Sequence, residues 1–216
     1  IGSVVYIIDL EDGGKIINKI IIDDMIDSGE GTVAESPAGS VNTVRNSVHT
    51  RLIPVTPDQT SLAQYYGALL YFVDYEGKLW KINLWSEGTL YDKQILFDTK
   101  ATATNGRANF FEPSASIDEV TNKLWLYYGT GDMTNLSERT NESAGIAIQN
   151  KIYGIKDNSF PATNAAAVTP IEADCTNITG LTSCVVESSS SGWFANLDAN
   201  EKITGTPAIK NGVVYF

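Results

Sequence analysis

The stretch Val5-Tyr6-Ile7-Ile8-Asp9-Leu10-Glu11-Asp12-Gly13-Gly14-Lys15-Ile16 returns, with a shorter turn, as Leu70-Tyr71-Phe72-Val73-Asp74-Tyr75-Glu76-Gly77-Lys78-Leu79. In each copy an apolar, aromatic run ends in Asp, a turn follows with Gly at its tight position, and a second apolar run leaves from Lys. Gly suits a turn position of positive φ, and the Asp side chain can cap the turn's own backbone. The phrase predicts two β-hairpins with Tyr6 and Tyr71 equivalent on inner strands. A hairpin repeated in this way is the signature of sheets arranged radially, so the expected fold class is all-β, a quinoprotein-like β-propeller present in part and carrying long loop insertions.

Composition fits that expectation. The chain has 216 residues, 43% of them hydrophobic. That is enough for one sizeable core, and 1–216 reads as a single domain. A net charge of −11 argues against a nucleic-acid partner, which would require clustered Lys and Arg against phosphate. No basic, apolar leader opens the chain, and no transmembrane segment is expected, because Asn18 and Lys19 interrupt the most apolar run, Ile16 to Ile22. The last residues, Val213-Val214-Tyr215-Phe216, read as the middle of a strand, so the chain is expected to be a fragment of a longer polypeptide.

Pro residues punctuate the rest. Pro57 precedes Ala68-Leu69-Leu70-Tyr71-Phe72-Val73, Pro113 precedes Leu124-Trp125-Leu126-Tyr127-Tyr128, and Pro207 precedes Val213 to Phe216. Pro is tolerated at the first residue of a strand, where no ladder donor is lost. Ile16 to Ile26 has the length of a short helix, but its β-branched content favours a strand. Two insertions, 132–149 and 158–191, are rich in Asn, Ser and Thr and read as long surface loops.

Cys175 and Cys184 lie in a polar stretch with Gly180 between them. A local disulfide in an oxidising compartment is the favoured reading, with two free thiols as the alternative. Zinc is disfavoured, since one His and two Cys do not make a four-ligand site, and the Cys-x-x-Cys-His of haem attachment does not occur.

Gly67-Ala68-Leu69-Leu70-Tyr71-Phe72-Val73-Asp74-Tyr75-Glu76-Gly77-Lys78-Leu79-Trp80-Lys81-Ile82-Asn83-Leu84 resembles the blade motif of the C-terminal propeller of the PilY family of type IV pilus assembly and tip-associated proteins. Leu126-Tyr127-Tyr128-Gly129-Thr130-Gly131 is similar to that family's aromatic-Gly-Thr-Gly segment, and Lys151-Ile152-Tyr153-Gly154-Ile155-Lys156-Asp157 to its Tyr-Gly-Ile-x-Asp strand. Gly192 to Leu197 and Gly205 to Phe216 resemble the blade that follows, so the likeness covers about two thirds of the chain. The resemblance implies a non-enzymatic cell-surface protein of the pilus system that supports pilus assembly or adhesion. It implies an extracellular or outer-membrane location, and minor pilins, the pilus tip complex, or a host or abiotic surface as partners. Other classes to weigh are a quinone-dependent propeller dehydrogenase and an outer-membrane scaffold propeller.

The chain departs from that family in lacking its Asp-x-Asp-x-Asp-Gly calcium loop. The nearest fragments, Asp9-Leu10-Glu11-Asp12-Gly13 and Asp23-Asp24-Met25-Ile26-Asp27, offer three carboxylates each against the six to eight oxygens calcium takes. Asp9 reads as a turn cap, and the expectation is no cofactor, with calcium kept as a weak alternative. No catalytic residue is expected either. His49 is the only histidine and reads as a loop residue rather than a base, and Gly129-Thr130-Gly131-Asp132 lacks the Lys and helix of a phosphate loop and reads as a strand exit. The Asn-x-Ser/Thr sequons at Asn135, Asn141 and Asn177 carry no information if the source is bacterial, as the resemblance implies. Among the tryptophans, Trp80, Trp125 and Trp193 sit in strand motifs and read as core, with sugar stacking as the alternative. Trp85, at a strand end, is expected to be the most exposed of the four.

Overall fold

A computed structural model describes residues 4–22, 47–56, 67–99, 108–133, 140–141, 146–147, 149–165, 168, 171–172, 191–198 and 201–216. Cys175, Cys184, Pro57 and the Asp23 to Asp27 fragment lie outside the described residues. Within them the chain is all-β, as expected, and its strands form small, mostly antiparallel sheets that do not close into a barrel or a propeller.

Strands β1 (Val4–Asp9) and β2 (Lys15–Ile21) form the first hairpin. The β-branched run at Ile16 to Ile21 is therefore strand rather than helix. A four-stranded sheet follows in the order β3 (Ile53–Val55), β4 (Leu69–Val73), β5 (Leu79–Asn83) and β6 (Lys93–Phe97). Pro54 lies in β3, an edge strand, where a missing N–H costs the ladder nothing.

Next come β7 (Ser114–Ile117) and β8 (Leu124–Gly129), then the two-residue strands β9 (Thr140–Asn141) and β10 (Ile146–Ala147), which pair with each other. After them come β11 (Lys151–Asp157), β12 (Ile171–Glu172) and β13 (Gly192–Asn196). Five of these strands form one sheet in the order β12-β13-β11-β8-β7, with β12 parallel to β13. A final hairpin joins β14 (Ala208–Lys210) to β15 (Val213–Tyr215). Pro113 and Pro207 stand immediately before β7 and β14, as strand-entry prolines should.

Two apolar clusters bind these layers. Leu69, Tyr71, Val73 and Leu79 of the four-stranded sheet meet Leu124, Leu126, Tyr128, Tyr153 and Ile155 of the five-stranded one. The opposite face of the four-stranded sheet, Leu70, Phe72, Trp80 and Ile82, packs with Val5, Ile20 and Ile22 of the first hairpin. Successive strand residues point to opposite faces, which is why Leu69 and Leu70 belong to different cores. Each β4 or β5 side chain is buried because its sheet is covered on both sides.

The repeated phrase therefore forms two hairpins, but its tyrosines are not equivalent. Tyr6 pairs across the ladder with Lys19, and Tyr71 pairs with Lys81, so their registers correspond. Tyr71 faces the five-stranded sheet with no exposed surface, whereas Tyr6 faces away from the core and is 50% exposed. The hairpin and the sheet meet through corresponding faces, Val5 and Ile20 against Leu70 and Ile82. The outer face of the first hairpin also carries Ile8, Ile16 and Ile21, so its binary pattern does not select a single buried side.

Candidate functional site

The strand-end aspartates settle the turns. Asp9 Oδ1 accepts from the N–H groups of Glu11 and Asp12 at 2.8 and 3.2 Å, which is the capping role read from the sequence. Asp118 Oδ1, just after β7, accepts from Val120 and Thr121, and Asp157 Oδ1, at the end of β11, accepts from Ser159 and Phe160. One Asp-led turn thus recurs three times, and short polar side chains favour it because they satisfy donors a tight turn leaves unpaired. Hydrogen bonds to Thr121 and to turn N–H groups hold the Asp118 carboxyl below its usual range.

Asp74 differs. Its Oδ1 accepts from Lys78 N–H at 2.9 Å and its Oδ2 from the Trp80 indole N–H at 2.9 Å, in a site with no exposed surface. Burial outweighs those two bonds and pushes the carboxyl up to about 7.

The most polar point of the interior lies between the two large sheets. Lys81 of β5 donates to Asp157 Oδ2 at 2.7 Å, to Ala162 O at 2.7 Å and to Asn164 O at 3.0 Å, which uses all three ammonium protons. The Tyr71 hydroxyl donates to the same Asp157 oxygen at 2.8 Å. Burial lowers the Lys81 pKa, opposed by the Asp157 charge, and burial together with Asp157 raises Tyr71 far enough to keep its hydroxyl protonated. With both carboxylate oxygens and every ammonium proton engaged, the cluster has nothing left for a substrate. It acts as a staple, joining β5 to the end of β11 and to the turn beyond it.

Other places carry less chemistry. His49 is exposed, its Nδ1 sits 3.2 Å from Ser47 O, and its ring packs edge-on against Tyr75 and Phe110. A groove of about 470 Å³ between the edge strands β3 and β7 is lined by Ile53, Pro54, Val55, Ala115, Ile117 and Leu124 and presents no titratable side chain. Among the described residues no three His, Cys, Asp or Glu side chains gather as metal ligands. Gly129 ends β8, and Thr130 N–H bonds Lys151 O at 2.9 Å, so that segment is a strand exit.

The tryptophans divide differently from the sequence expectation. Trp80 is core, with no exposed surface. Trp125 and Trp193 are half-buried on the outer face of the five-stranded sheet and belong to neither apolar cluster. Trp85 is also half-buried, its N–H bonded to Asn83 Oδ1 at 2.8 Å. Sequence reading missed Lys81 and Asp157 as partners, and the one local signal was that Lys81 lies opposite Tyr71 once the hairpin register is drawn. The chain matches no family model, no curated protein and no solved structure.

Proposed function

We propose that this chain is part of a β-propeller of the type IV pilus system, a non-enzymatic surface protein that supports pilus assembly and presents loops to a partner. The propeller reading is supported by chain order, since the first hairpin, the four-stranded sheet and the five-stranded sheet pack in the sequence in which they occur. The non-enzymatic reading is supported by the buried cluster of Lys81, Asp157 and Tyr71, whose polar atoms satisfy one another and the neighbouring backbone.

The observation that carries display is topological. Both insertions connect strands of the five-stranded sheet, 132–149 joining β8 to β11 and 158–191 joining β11 to β13, and the second is not surface loop throughout, since Phe160 and Val168 are core and Ile171–Glu172 is β12. Because those strands alternate in direction, the insertions emerge at opposite ends of one framed sheet. Minor pilins or the pilus tip complex, or a host or abiotic surface, are the partners proposed for them, at an extracellular or outer-membrane location. Deletion of the gene should reduce surface piliation or pilus-dependent adhesion, and a version shortened only within 134–139 and 173–190, which keeps β12 and the residues that meet Lys81, should restore a folded protein without the contact. Normal piliation, twitching and adhesion in a deletion strain with no paralogue would overturn the proposal.

A further inference from the structure

The repeated phrase ends its first strands in Asp9 and Asp74, and only the second is enclosed. Asp9 caps an exposed turn, whereas Asp74 has no exposed surface and turns both carboxyl oxygens into its own hairpin, one to Lys78 N–H and one to the Trp80 indole N–H, each at 2.9 Å. Both donors are neutral. The Lys78 ammonium stands 3.5 Å from Glu76, and the two charges act on Asp74 in opposite directions. An ionised Asp74 is therefore a buried charge held chiefly by neutral dipoles, and a group so placed keeps its proton or opens to water.

The turn that Asp74 closes is also where separate parts of the chain meet. Tyr75 N–H donates to Ser47 O at 3.1 Å, and Asn109 N–H donates to Tyr75 O at 3.0 Å. The Thr50 hydroxyl donates to Val73 O at 2.9 Å, the Thr99 hydroxyl to Glu76 O at 2.8 Å and the Tyr128 hydroxyl to Gly77 O at 3.0 Å. Backbone atoms of residues 73–77 thus hold segments 47–50 and 108–110, Thr99 and the end of β8. The rings of His49, Tyr75 and Phe110, with centroids 5.3, 5.4 and 5.9 Å apart, complete the contact between the two segments. Tyr75 follows Asp74 directly and carries one bond to each of them, so a shift of this residue loosens both.

We propose that Asp74 makes this turn a pH-sensitive latch: protonated, it keeps 47–50 and 108–110 docked on the four-stranded sheet, and ionised, it draws water into the turn and releases them. The two large sheets stay folded, because both apolar clusters are built from residues outside 74–78. Burial pushes the Asp74 carboxyl up to about 7, which sets the change near neutral pH. The charged groups of its own hairpin are Glu76, which resists ionisation, and Lys78, which favours it. From β8 comes Tyr128, kept protonated by burial and by the neighbouring Tyr153, Asp74 and Asp98. Segments 47–50 and 108–110 bring one titratable side chain, His49, whose ring lies against Tyr75 and Phe110. The latch depends neither on the pilus assignment nor on the insertions.

The test is a pH titration of the full 216-residue chain by NMR, from about pH 5 to 8.5, following amide, indole and carboxyl signals. The Asp74 carboxyl, the Trp80 indole N–H and the Tyr75 and Asn109 amides should share one midpoint near pH 7. Water exchange at the Tyr75 and Asn109 amides should rise about tenfold or more beyond the intrinsic base-catalysed increase, while signals of the β8–β11 ladder keep their positions. His49→Gln should leave the transition in place, and Asp74→Asn should abolish it. If Asp74→Asn does not fold, the shared midpoint in the wild-type protein still decides. The proposal is overturned if the Asp74 carboxyl does not titrate in this range, or if it titrates while the Tyr75 and Asn109 amides stay still. It is equally overturned if those amides move with another midpoint or still move in Asp74→Asn, or if the ladder signals are lost with them, which would be general unfolding.

Discussion

Lys81 Nζ and Asp157 Oδ2 meet at 2.7 Å between the two larger sheets, and neither side chain has any exposed surface. Removing one member of a fully buried pair leaves the other charge without compensation, which costs about 3–5 kcal/mol. Lys81→Met also strips the donor from Ala162 O and Asn164 O. Tyr71→Phe removes only a hydroxyl bond to the same carboxylate and should cost about 1.5–3 kcal/mol. Urea unfolding at one pH should therefore place Lys81→Met below Tyr71→Phe, with Tyr71→Phe below wild type. The reverse order of the two variants would mean that the ion pair is not the staple.

Asp74 makes stability depend on pH in a defined direction. Its folded pKa of about 7 lies above the ordinary aspartate value of 3.8, so between those values the folded chain holds a proton that the unfolded chain has released. Stability from this group is complete below the unfolded value, falls as pH rises from about 4, and levels off above about 7, a loss on the order of 4 kcal/mol. Asp74→Asn cannot titrate, and its amide would set a donor against the Trp80 N–H, so it should be less stable than wild type at low pH. Denaturation midpoints from pH 4 to 8 should converge as pH rises. A constant gap between the two proteins would show that Asp74 does not titrate in this range.

The hairpins were legible in the sequence because their signals are local. Asp and Gly fix each turn and apolar runs fix the flanking strands, so β1–β2 and β4–β5 fall where the repeated phrase puts them. The side of each hairpin that becomes core is not local. Tyr6 and Tyr71 occupy matching positions, yet the first hairpin is apolar on both faces, and only its packing on Leu70, Phe72 and Trp80 decides that Tyr6 points outward. The staple was hidden for a related reason. Lys81 and Asp157 stand 76 residues apart, and nothing near either one announces a buried charge. Trp125 and Trp193 read as core from their strand context, and it is the cross-strand register that sets them together on an outer face.

Gly67 tests the approach of the chain to β4. It adopts φ +149°, which side chains rarely allow, and a Cβ there would stand 2.6 Å from Leu84 O and 2.7 Å from Trp85 Cα, both backbone atoms that cannot rotate away. Gly67→Ala should cost about 2–3 kcal/mol by strain and overpacking. Gly205, where an added methyl meets nothing within 4 Å, should accept the same change within about 0.5 kcal/mol. Thermal unfolding of the two variants gives the comparison, and equal melting points would contradict this account of Gly67.

Cys175 and Cys184 carry the last prediction, which rests on sequence, since both lie outside the described residues. They flank a short polar stretch centred on Gly180, within the 158–191 insertion that connects β11 to β13. A bond between them would close a loop small enough to add about 2.5–3 kcal/mol by restricting the unfolded chain. It would also stiffen a segment whose composition gives it little apolar surface to bury, and so hold in shape a loop proposed to meet a partner. Freshly purified native protein should take up no alkylating agent under denaturing, non-reducing conditions, and should take up two equivalents after reduction. If both thiols alkylate without reductant, the insertion is not stapled, and its shape in any contact must come from the partner.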